Sequence, residues 1–266
     1  MSVLVRPRAC GATKPPVGST INWGHPLAAG LKGCWLINEG AGVLHDLTGF
    51  PRSGLVPPGA SGWSKGGMTG PASASQGAQI HNANIVGGLT NLTIWGYGAT
   101  PSSGPSAFYC ERAGSGSDIL KLGADTTNKV LFTYRNDAGT LTQLLGASAF
   151  FDASGTPHQI AATKQGTALS VYLDGKLDGT ATFGSGSDAF TNANVAHLGT
   201  DPSGESWTGG SLIACAVWNR ALSAAELKWL RAEPYAFIAP PSPRGMRFAV
   251  PGTAAAVPTS YGELVW

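Results

Sequence analysis

The clearest hydrophobic pattern lies between residues 158 and 177, within an organising stretch at about 157–230, and apolar and polar residues alternate there in two short runs. The first run covers 158–163 and the second covers 169–177, with a polar connection between them. Alternation with a period of two predicts half-buried β-strands. The pair Asp174-Gly175 interrupts the second run, and Asp-Gly favours a two-residue hairpin turn. This segment therefore predicts an antiparallel meander.

A nearly continuous apolar run follows at 209–218, and it predicts a strand that is buried on both faces. Ser223 and Glu226 then have the spacing of a capping box, in which the serine hydroxyl accepts from the backbone N–H of the glutamate and the glutamate side chain reaches back. Leu227 and Leu230 lie three residues apart, on one face of the predicted helix. A proline soon afterwards ends this short C-terminal helix.

Earlier in the chain, short apolar runs recur between clusters of Gly, Ser, Asp and Asn. The predicted strands there begin at about residue 32 and continue at 79–81, 92–98, 107–112, 119–122, 130–135 and 141–145. Many short strands with turn signals between them are typical of a β-sandwich. No unit of 20 to 50 residues repeats, which excludes a solenoid or a propeller.

The order of these motifs resembles the laminin G-like, concanavalin A-like jelly rolls. The resemblance rests on H-Q-I-A-A-T at 158–163, L-S-V-Y-L-D-G-K-L-D-G at 169–179, H-L-G-T at 197–200 and G-S-L-I-A-C-A-V-W-N-R-A-L-S-A-A-E-L at 210–227, with 31–40 similar to the family's opening strand. It implies an all-β jelly-roll sandwich of two antiparallel sheets whose first and last strands are neighbours. It does not imply a function, because this architecture hosts lectins, glucanases, adhesion modules and virion parts.

Three parts of the chain are expected: an extended N-terminal arm at 1–30, the jelly roll at 31–232 and an extended Pro-rich C-terminal tail at 233–266. Prolines in both flanks fix backbone angles and remove hydrogen-bond donors. Aromatic residues in the flanks need burial, either on the same domain or on a neighbouring subunit. For the second alternative, the candidate assembly contacts are Trp23, His25, Tyr235, Phe237, Arg244, Arg247, Phe248 and Trp266.

Charged residues make up only 12% of the 266 residues, and the chain contains 38 glycines and 18 prolines. A typical globular domain has about 25% charged residues. Low charge weakens the repulsion between copies and favours a subunit of an assembly, although a turn-rich monomer has the same composition. A net charge of +2 without a basic block excludes nucleic acid as the partner. The absence of a signal peptide or spanning segment predicts synthesis in the cytoplasm and no membrane partner.

Four cysteines, Cys10, Cys34, Cys110 and Cys215, lack the spacing of a metal site. If the first and last strands pair, a disulfide between Cys34 and Cys215 is conceivable, although cytosolic synthesis favours thiols. Asp46 is the candidate calcium ligand for such a fold, but one carboxylate is too few for this ion. The alternative for Asp46 is a local Asx-type turn contact. We expect no metal and no cofactor.

Catalytic motifs are missing. A retaining glycosidase needs two carboxylates about 5 to 5.5 Å apart, and the catalytic branch of the resembled family supplies them from an E-x-D-x-x-E run that this chain lacks. Asp174 and Asp178 are the nearest such pair, but Asp174 belongs to the predicted turn. There is no G-x-S-x-G, Walker, H-E-x-x-H or C-x-x-C motif. The sequence therefore predicts a protein that is not an enzyme.

Binding of a glycan remains open, because sugars stack on exposed aromatic rings beside polar side chains. Trp63 and Trp207 lie in or beside Gly/Ser-rich loops, and Tyr109 lies on a strand that could face a concave sheet. These three residues are the candidate glycan contacts. The alternative for each is packing in the core or anchoring of a loop.

Both flanks carry a second resemblance. The opening P-P-V-G-S-T-I-N-W-G-H-P-L from residue 15 and the closing L-R-A-E-P-Y-A-F-I-A-P-P-S-P-R from residue 230 resemble laminin G-like proteins encoded among the structural genes of tailed phages. This implies a capsid decoration, head-fibre or tail-associated protein, made in the host cytoplasm and located in the virion. Its partners would be capsid or tail subunits and further copies of itself. The alternative function is a module that binds a host surface polysaccharide.

Overall fold

The computed structural model describes residues 10–40, 42–50, 54–55, 63–64, 66–69, 77–80, 85–99, 105–112, 118–135, 139–150, 155–183, 195–201, 205, 207 and 210–241. These residues form eighteen strands, a 3-10 helix at Pro26–Ala28 and an α-helix, α1, at Ala224–Ala232. The strands, β1 to β18 in chain order, are Thr20–Ile21, Leu31–Trp35, Val43–Leu44, Gly54–Leu55, Trp63–Ser64, Gly67–Thr69, Ala78–Ile80, Asn91–Ala99, Ser106–Arg112, Asp118–Ala124, Lys129–Arg135, Leu141–Ala149, Pro157–Gln165, Ala168–Leu173, Lys176–Thr182, Val195–Leu198, Ser211–Trp218 and Ile238–Ala239.

Two eight-stranded antiparallel sheets face each other. The front sheet has the order β12-β11-β10-β9-β16-β7-β4-β3. The back sheet has the order β15-β14-β13-β8-β17-β6-β5, and β2 also pairs with β17. The first long strand and the last one are therefore neighbours, with Trp35 opposite Cys215. The predicted jelly-roll sandwich with one short C-terminal helix is confirmed.

The predicted hairpin joins β14 to β15, with Leu173 opposite Lys176. Asp174 and Gly175 both have positive φ, 50° and 75°, as a type I′ turn requires. A Cβ atom on Gly175 would lie 2.9 Å from the Cα of Lys228. Glycine is needed here because the tip of the hairpin packs directly against α1.

The space between the sheets is filled by large side chains from both of them. Phe108 of the front sheet packs edge-on against Trp207, with ring centroids 5.1 Å apart. The same phenylalanine lies over Gly96 of β8, where a Cβ atom would be 2.6 Å from its ring. Trp35 and Phe132 are also fully buried in this core. These contacts link strands that are distant in sequence.

A second apolar layer covers the outer face of the back sheet. Trp95 and Trp218 point outward from β8 and β17, and Leu227 of α1 lies among the residues that cover them. Phe237 packs against Trp218, with ring centroids 5.9 Å apart, and the Nε1 of Trp218 donates to the carbonyl of Leu27 at 2.7 Å. β17 is thus buried on both faces, as its apolar sequence predicted.

The described parts of the two terminal segments, 10–30 and 234–241, supply much of this outer layer. β1 pairs with β18 in a two-stranded sheet, with Thr20 opposite Ala239, and the backbone N–H of Asn22 donates to the carbonyl of Phe237 at 2.9 Å. In the described residues, these two segments fold back onto their own sandwich. Of the two alternatives for the flanking aromatics, packing on the same domain holds for Tyr235 and Phe237, whereas Trp23 stays exposed.

The predicted capping box begins α1. The backbone N–H of Glu226 donates to the hydroxyl of Ser223 at 3.2 Å, and the N–H of Ser223 donates to the Glu226 carboxylate at 2.8 Å. Gln159 of β13 donates from its side-chain amide to the carbonyl of Leu227 at 3.1 Å. The helix is therefore fixed at its start by its own residues and along its length by the sheet.

All four cysteines lie in the described part of the chain, and none forms a disulfide. Cys34 faces the outer layer, whereas Cys215 faces the core between the sheets. Because their side chains lie on opposite faces of adjacent strands, they are unable to form a bond without breaking the sheet. The conceivable Cys34–Cys215 bridge is therefore excluded in this fold.

Candidate functional site

Two of the three candidate glycan contacts lie in the core. Tyr109 is 0% exposed and Trp207 is 1% exposed. The Nε1 of Trp207 donates to the carbonyl of Ala99 at 2.8 Å, so this ring anchors its loop to β8. Both rings lack the exposed face that stacking on a sugar requires, which corrects these two assignments. Trp63 is partly buried and packs against the same core.

The Tyr109 hydroxyl donates a hydrogen bond to the buried Glu111 carboxylate. Burial, followed by the charge and hydrogen bond of Glu111, raises the pKa of Tyr109 well above its usual range. The pair lies on β9 and faces the core between the sheets. Because both side chains are buried, a ligand cannot reach the pair. The hydrogen bond between them gives each buried polar group a partner inside the sandwich.

Two of the candidate assembly contacts are also buried in their own chain. Tyr235 is 3% exposed and Phe237 is 1% exposed, because both belong to the outer layer over the back sheet. Their assignment as contacts to another subunit is therefore corrected. Four further candidates, Arg244, Arg247, Phe248 and Trp266, lie outside the described residues.

The other two candidates, Trp23 and His25, lie at the surface beside a residue that the sequence did not single out. Trp229 of α1 contacts the His25 ring, with centroids 4.7 Å apart and planes inclined by 53°. Trp23 is 56% exposed and Trp229 is 39% exposed. We call Trp23, His25, Trp229 and Glu233 the aromatic patch.

His25 is held by the 3-10 helix that follows it. Its Nδ1 accepts from the backbone N–H of Leu27 at 3.2 Å, so the ring proton is on Nε2. Burial lowers the pKa of His25, and the charge of Glu233 only partly opposes this effect. The ring is therefore neutral near pH 7 and presents one N–H donor.

Glu233 supplies the acidic group of the aromatic patch. The Nε1 of Trp229 donates to Oε2 of Glu233 at 3.2 Å, which fixes the indole ring relative to the end of α1. The other carboxylate oxygen, Oε1, has no partner among the described residues. His25, Trp229 and Glu233 therefore bring one exposed indole, one N–H donor and one carboxylate acceptor to the same surface, and the exposed Trp23 lies two residues before His25 in the chain.

A pocket of about 230 Å³ lies between the N-terminal segment and the residues that follow β2. We call it the arm pocket. Its lining residues are Pro16, Val17, Gly18, Ser19, Leu36, Asn38, Glu39, His45 and Leu47. Beside it, the ammonium of Lys14 donates to the carbonyls of Ile37 and Gly66 at 3.1 and 2.7 Å, which ties the segment to the sandwich.

Asp46 makes local contacts of the kind expected for an Asx-type turn. Its Oδ1 accepts from the backbone N–H and the hydroxyl of Thr48 at 2.9 and 2.7 Å, and from the N–H of Cys34 at 3.0 Å. Among the residues that the structure describes, no group of three or more His, Cys, Asp or Glu side chains is arranged to hold a metal ion.

Three other carboxylates in the described ranges lie beside basic side chains. Lys121 lies 2.6 Å from Glu205 and 3.5 Å from Asp201. Asp174 lies 2.7 Å from His158 and 3.0 Å from Arg231. These contacts are structural ion pairs, since each acid is matched by a positive or hydrogen-bonding partner.

Neither helix in the described part of the chain has the length and apolar character needed to span a bilayer.

Several solved structures share this fold. Trypanosoma rangeli sialidase in complex with the inhibitor DANA matches with a TM-score of 0.58 and 16% identity, over 84% of this chain and 36% of the sialidase. The ligand-binding domain of botulinum neurotoxin serotype D in complex with N-acetylneuraminic acid matches with a TM-score of 0.58 and 10% identity, over 76% of this chain and 50% of that domain.

The binding domain of Paraclostridial Mosquitocidal Protein 1 matches with a TM-score of 0.57 and 12% identity, over 77% of this chain and 52% of the other. At these identities the likeness concerns the fold. The chain spans about a third of the sialidases and about half of the toxin binding domains. No curated protein sequence matches this chain.

A laminin G family model, described as Concanavalin A-like lectin/glucanases superfamily, matches residues 72–228. The matched region includes β7 to β17 and the first part of α1, and so includes most of the sandwich. It ends one residue before Trp229, and it begins after Trp23 and His25. This match covers more than half of the chain, and the protein therefore belongs to the laminin G group of the concanavalin A-like lectin/glucanase superfamily.

Proposed function

We propose that this protein is a non-enzymatic, lectin-like module that binds a surface carbohydrate. The observation that carries the proposal is the aromatic patch, where Trp23 and Trp229 keep large parts of their rings exposed on an otherwise well-packed outer layer. Exposed indole rings are costly to leave in water and are typical of binding surfaces. The apolar face of a pyranose ring covers such a surface.

Polar groups beside the rings match the hydroxyl groups of a sugar. His25 presents an N–H donor at Nε2, and Glu233 presents an acceptor at Oε1. A sugar needs both, because each hydroxyl donates one hydrogen bond and accepts others. His25 is fixed by the 3-10 helix and Trp229 by the capped helix α1, so binding costs little conformational entropy.

The fold relatives support the carbohydrate class of ligand. A sialidase and a neurotoxin ligand-binding domain of this fold are seen with the inhibitor DANA and with N-acetylneuraminic acid, respectively. The absence of an enzymatic role is proposed because the sequence has no E-x-D-x-x-E run and because cations hold Asp174, Asp201 and Glu205.

Polysaccharide binding tests this proposal. The purified protein is applied to a glycan array, together with Trp229→Ala, Trp23→Ala and the control Leu177→Ala, whose side chain is also exposed at 57% but lies on β15. Each tryptophan variant is expected to weaken binding by roughly tenfold or more, because aromatic anchors dominate binding energy. Binding to no glycan, or equal binding by all variants, contradicts the proposal. Release of reducing sugar from a bound glycan contradicts its non-enzymatic part.

We propose as a second function that the module is a phage structural protein, displayed as a capsid decoration, head fibre or tail-associated subunit. The support is the resemblance of both flanks to phage proteins and the low content of charged residues. The backbones of β1 and β18 already pair with each other, so attachment would use other parts of the flanks, such as Trp23. Sedimentation of the protein from infected cells tests this: cosedimentation with particles supports it, and a purely monomeric protein contradicts it.

A further inference from the structure

The terminal strands of the two sheets differ in how their edges are protected. β12 and β3 end the front sheet, and β15 and β5 end the back sheet. Natural proteins protect such edges with short strands, charges, prolines or bulges, because an open edge pairs with another strand. β3 and β5 have two residues each, and β15 carries Lys176 and Asp178. β12 has nine residues and contains neither a charged residue nor a proline.

The second half of β12 is protected in other ways. Its register with β11 shifts after Leu145, and a bulge of this kind interrupts an edge. The backbone N–H of Ser148 donates to the carboxylate of Asp178 on β15 at 3.1 Å. A Cβ atom on Gly146 would lie 2.1 Å from the same carboxylate. The back sheet therefore closes this half of the edge.

The first half of β12, residues 141–145, pairs with β11 in regular register. Successive side chains of a strand point to opposite faces, so Leu141, Gln143 and Leu145 share the outer face of the front sheet. All three are exposed, the two leucines at 43% each. Leu144 points the other way, into the core. This half of the edge is uncharged, regular and open on its outer face.

A second copy of the same segment is complementary to this edge. A twofold axis beside Gln143 makes the two segments antiparallel, with Leu141 opposite Leu145 of the second copy and Gln143 opposite its own symmetry mate. Leucine then meets leucine on the outer face. A glutamine amide offers its mate both a donor and an acceptor. No like charges face each other, whereas such pairs would be destabilising.

The neighbouring strand extends the apolar contact. Leu131 of β11 lies opposite Leu145 and is partly buried. In the paired arrangement, Leu131, Leu145 and the second copy's Leu141 would form one apolar stripe across the junction. The net charge of +2 adds little repulsion between the copies.

We propose that two copies of this chain associate through residues 141–145 of β12, antiparallel about a twofold axis beside Gln143, so that their front sheets become one continuous sheet. The partner is thus a second copy of the chain, bound by strand addition. The proposal concerns the edge of the front sheet, whereas the aromatic patch lies beside α1 over the back sheet. It does not depend on either proposed function.

The size of the contact sets its expected strength. Stable interfaces bury about 1,200 to 2,000 Å² in total, and two paired segments of five residues bury less. Sedimentation velocity of the full chain is expected to show a monomer–dimer equilibrium with a Kd of about 10 to 100 µM. A chain that remains monomeric at about 500 µM overturns the proposal.

Charge placed on the twofold axis tests the surface. Gln143→Lys sets two lysines opposite each other and is expected to weaken the dimer at least tenfold. The control Leu177→Lys adds the same charge at a 57% exposed position on β15 and leaves the dimer unchanged. An unchanged urea midpoint shows that each variant is folded. A dimer that survives Gln143→Lys, or that is lost in Leu177→Lys, overturns the proposal.

Mixing variants tests the register. Gln143→Lys and Gln143→Glu are each expected to be monomeric alone, and an equimolar mixture is expected to form a heterodimer because opposite charges then face each other. Failure of the mixture to associate overturns the pairing. Leu141→Lys mixed with Leu145→Glu is a second complementary pair, which keeps the test valid if a variant at position 143 does not fold.

The aromatic patch supplies the last control. Trp229→Ala and Trp23→Ala are expected to leave the dimer intact, whatever they do to polysaccharide binding on an array. Loss of the dimer in either tryptophan variant, with Gln143→Lys still dimeric, would place self-association at the aromatic patch and overturn the inference. Failure of the array to show any glycan leaves the edge contact unaffected.

Discussion

Ile21 and Ile238 lie opposite each other in a short antiparallel pairing that joins the two terminal segments of the chain. Both side chains belong to the apolar layer over the back sheet. The segments therefore act as a cover for Trp95 and Trp218, which would otherwise face water. Removal of these segments from the back sheet would expose both rings to water.

Phe237→Ala is expected to lower the free energy of unfolding by about 3 to 5 kcal/mol, because it leaves a cavity beside the buried Trp218 ring. Urea denaturation followed by tryptophan fluorescence measures the change. Leu177→Ala is the control, since loss of an exposed side chain changes stability by only about 0.5 kcal/mol. A loss below about 1 kcal/mol for Phe237→Ala would show that the C-terminal segment is not part of the folded core.

Ser223→Ala is expected to lower the free energy of unfolding by about 1 kcal/mol, because it removes one half of the capping box of α1. Ser223→Asp is the matched control, since aspartate also caps helix N-termini. Thermal unfolding of both variants measures the difference. Equal destabilisation by alanine and aspartate would mean that the hydroxyl acts through some contact other than the cap.

Asp174→Asn is expected to remove a contribution to the free energy of unfolding that is lost at acidic pH. Burial alone would raise the pKa of Asp174, but the hydrogen bonds from His158 and the backbone N–H of Gln159, with the charges of His158 and Arg231, outweigh burial and hold it below its ordinary value. A carboxyl with a depressed pKa stabilises the fold above its unfolded pKa and loses this effect as the pH falls through the folded pKa.

The difference in urea midpoint between the natural chain and Asp174→Asn is therefore expected to be constant above about pH 5 and to shrink as the pH falls below about 4. Asparagine tolerates the positive φ of this position, so the hairpin turn itself is preserved. A difference that does not depend on pH would show that Asp174 acts through its turn conformation alone.

Thiol labelling is expected to distinguish Cys10 from the other cysteines. Cys10 is partly exposed, whereas Cys34, Cys110 and Cys215 are buried. Burial raises the pKa of Cys10 as well, but it raises the pKa of Cys34 well above its usual range. N-ethylmaleimide at pH 8 should modify one residue in the native protein and four in urea, as counted by mass spectrometry. Only two modifications in urea without reductant would reveal a disulfide and contradict the separation of Cys34 from Cys215.

Features that depend on neighbouring residues could be predicted from the sequence. The Asp174-Gly175 turn and the Ser223–Glu226 capping box each occupy a few consecutive residues whose side chains and backbone angles act locally, and both are present. The strand at Ser211–Trp218 was also predicted to be buried on both faces, because its apolar run has no polar alternation.

Features that depend on distant residues could not be predicted in this way. The sequence offered Trp207 and Tyr109 as glycan contacts, but Trp207 is buried by contacts with Phe108 and Ala99 of distant strands. Tyr109 is buried because its strand lines the core between the two sheets. The aromatic patch was missed because His25 and Trp229 lie far apart in the sequence and meet only in the folded chain. The one local signal of this patch was the four-residue spacing of Trp229 and Glu233 at the C-terminal end of the helix, which places the two side chains side by side.

The pairing of β1 with β18 has a consequence for biosynthesis. Ile21 emerges from the ribosome long before Ile238 is translated, so the outer layer stays incomplete until nearly the whole chain has been made. During that interval Trp95 and Trp218 lack the covering that Phe237 and Ile238 later supply, and such exposed apolar surface promotes aggregation. A nascent chain halted before β18 is accordingly expected to need a chaperone, whereas the released, full-length chain does not.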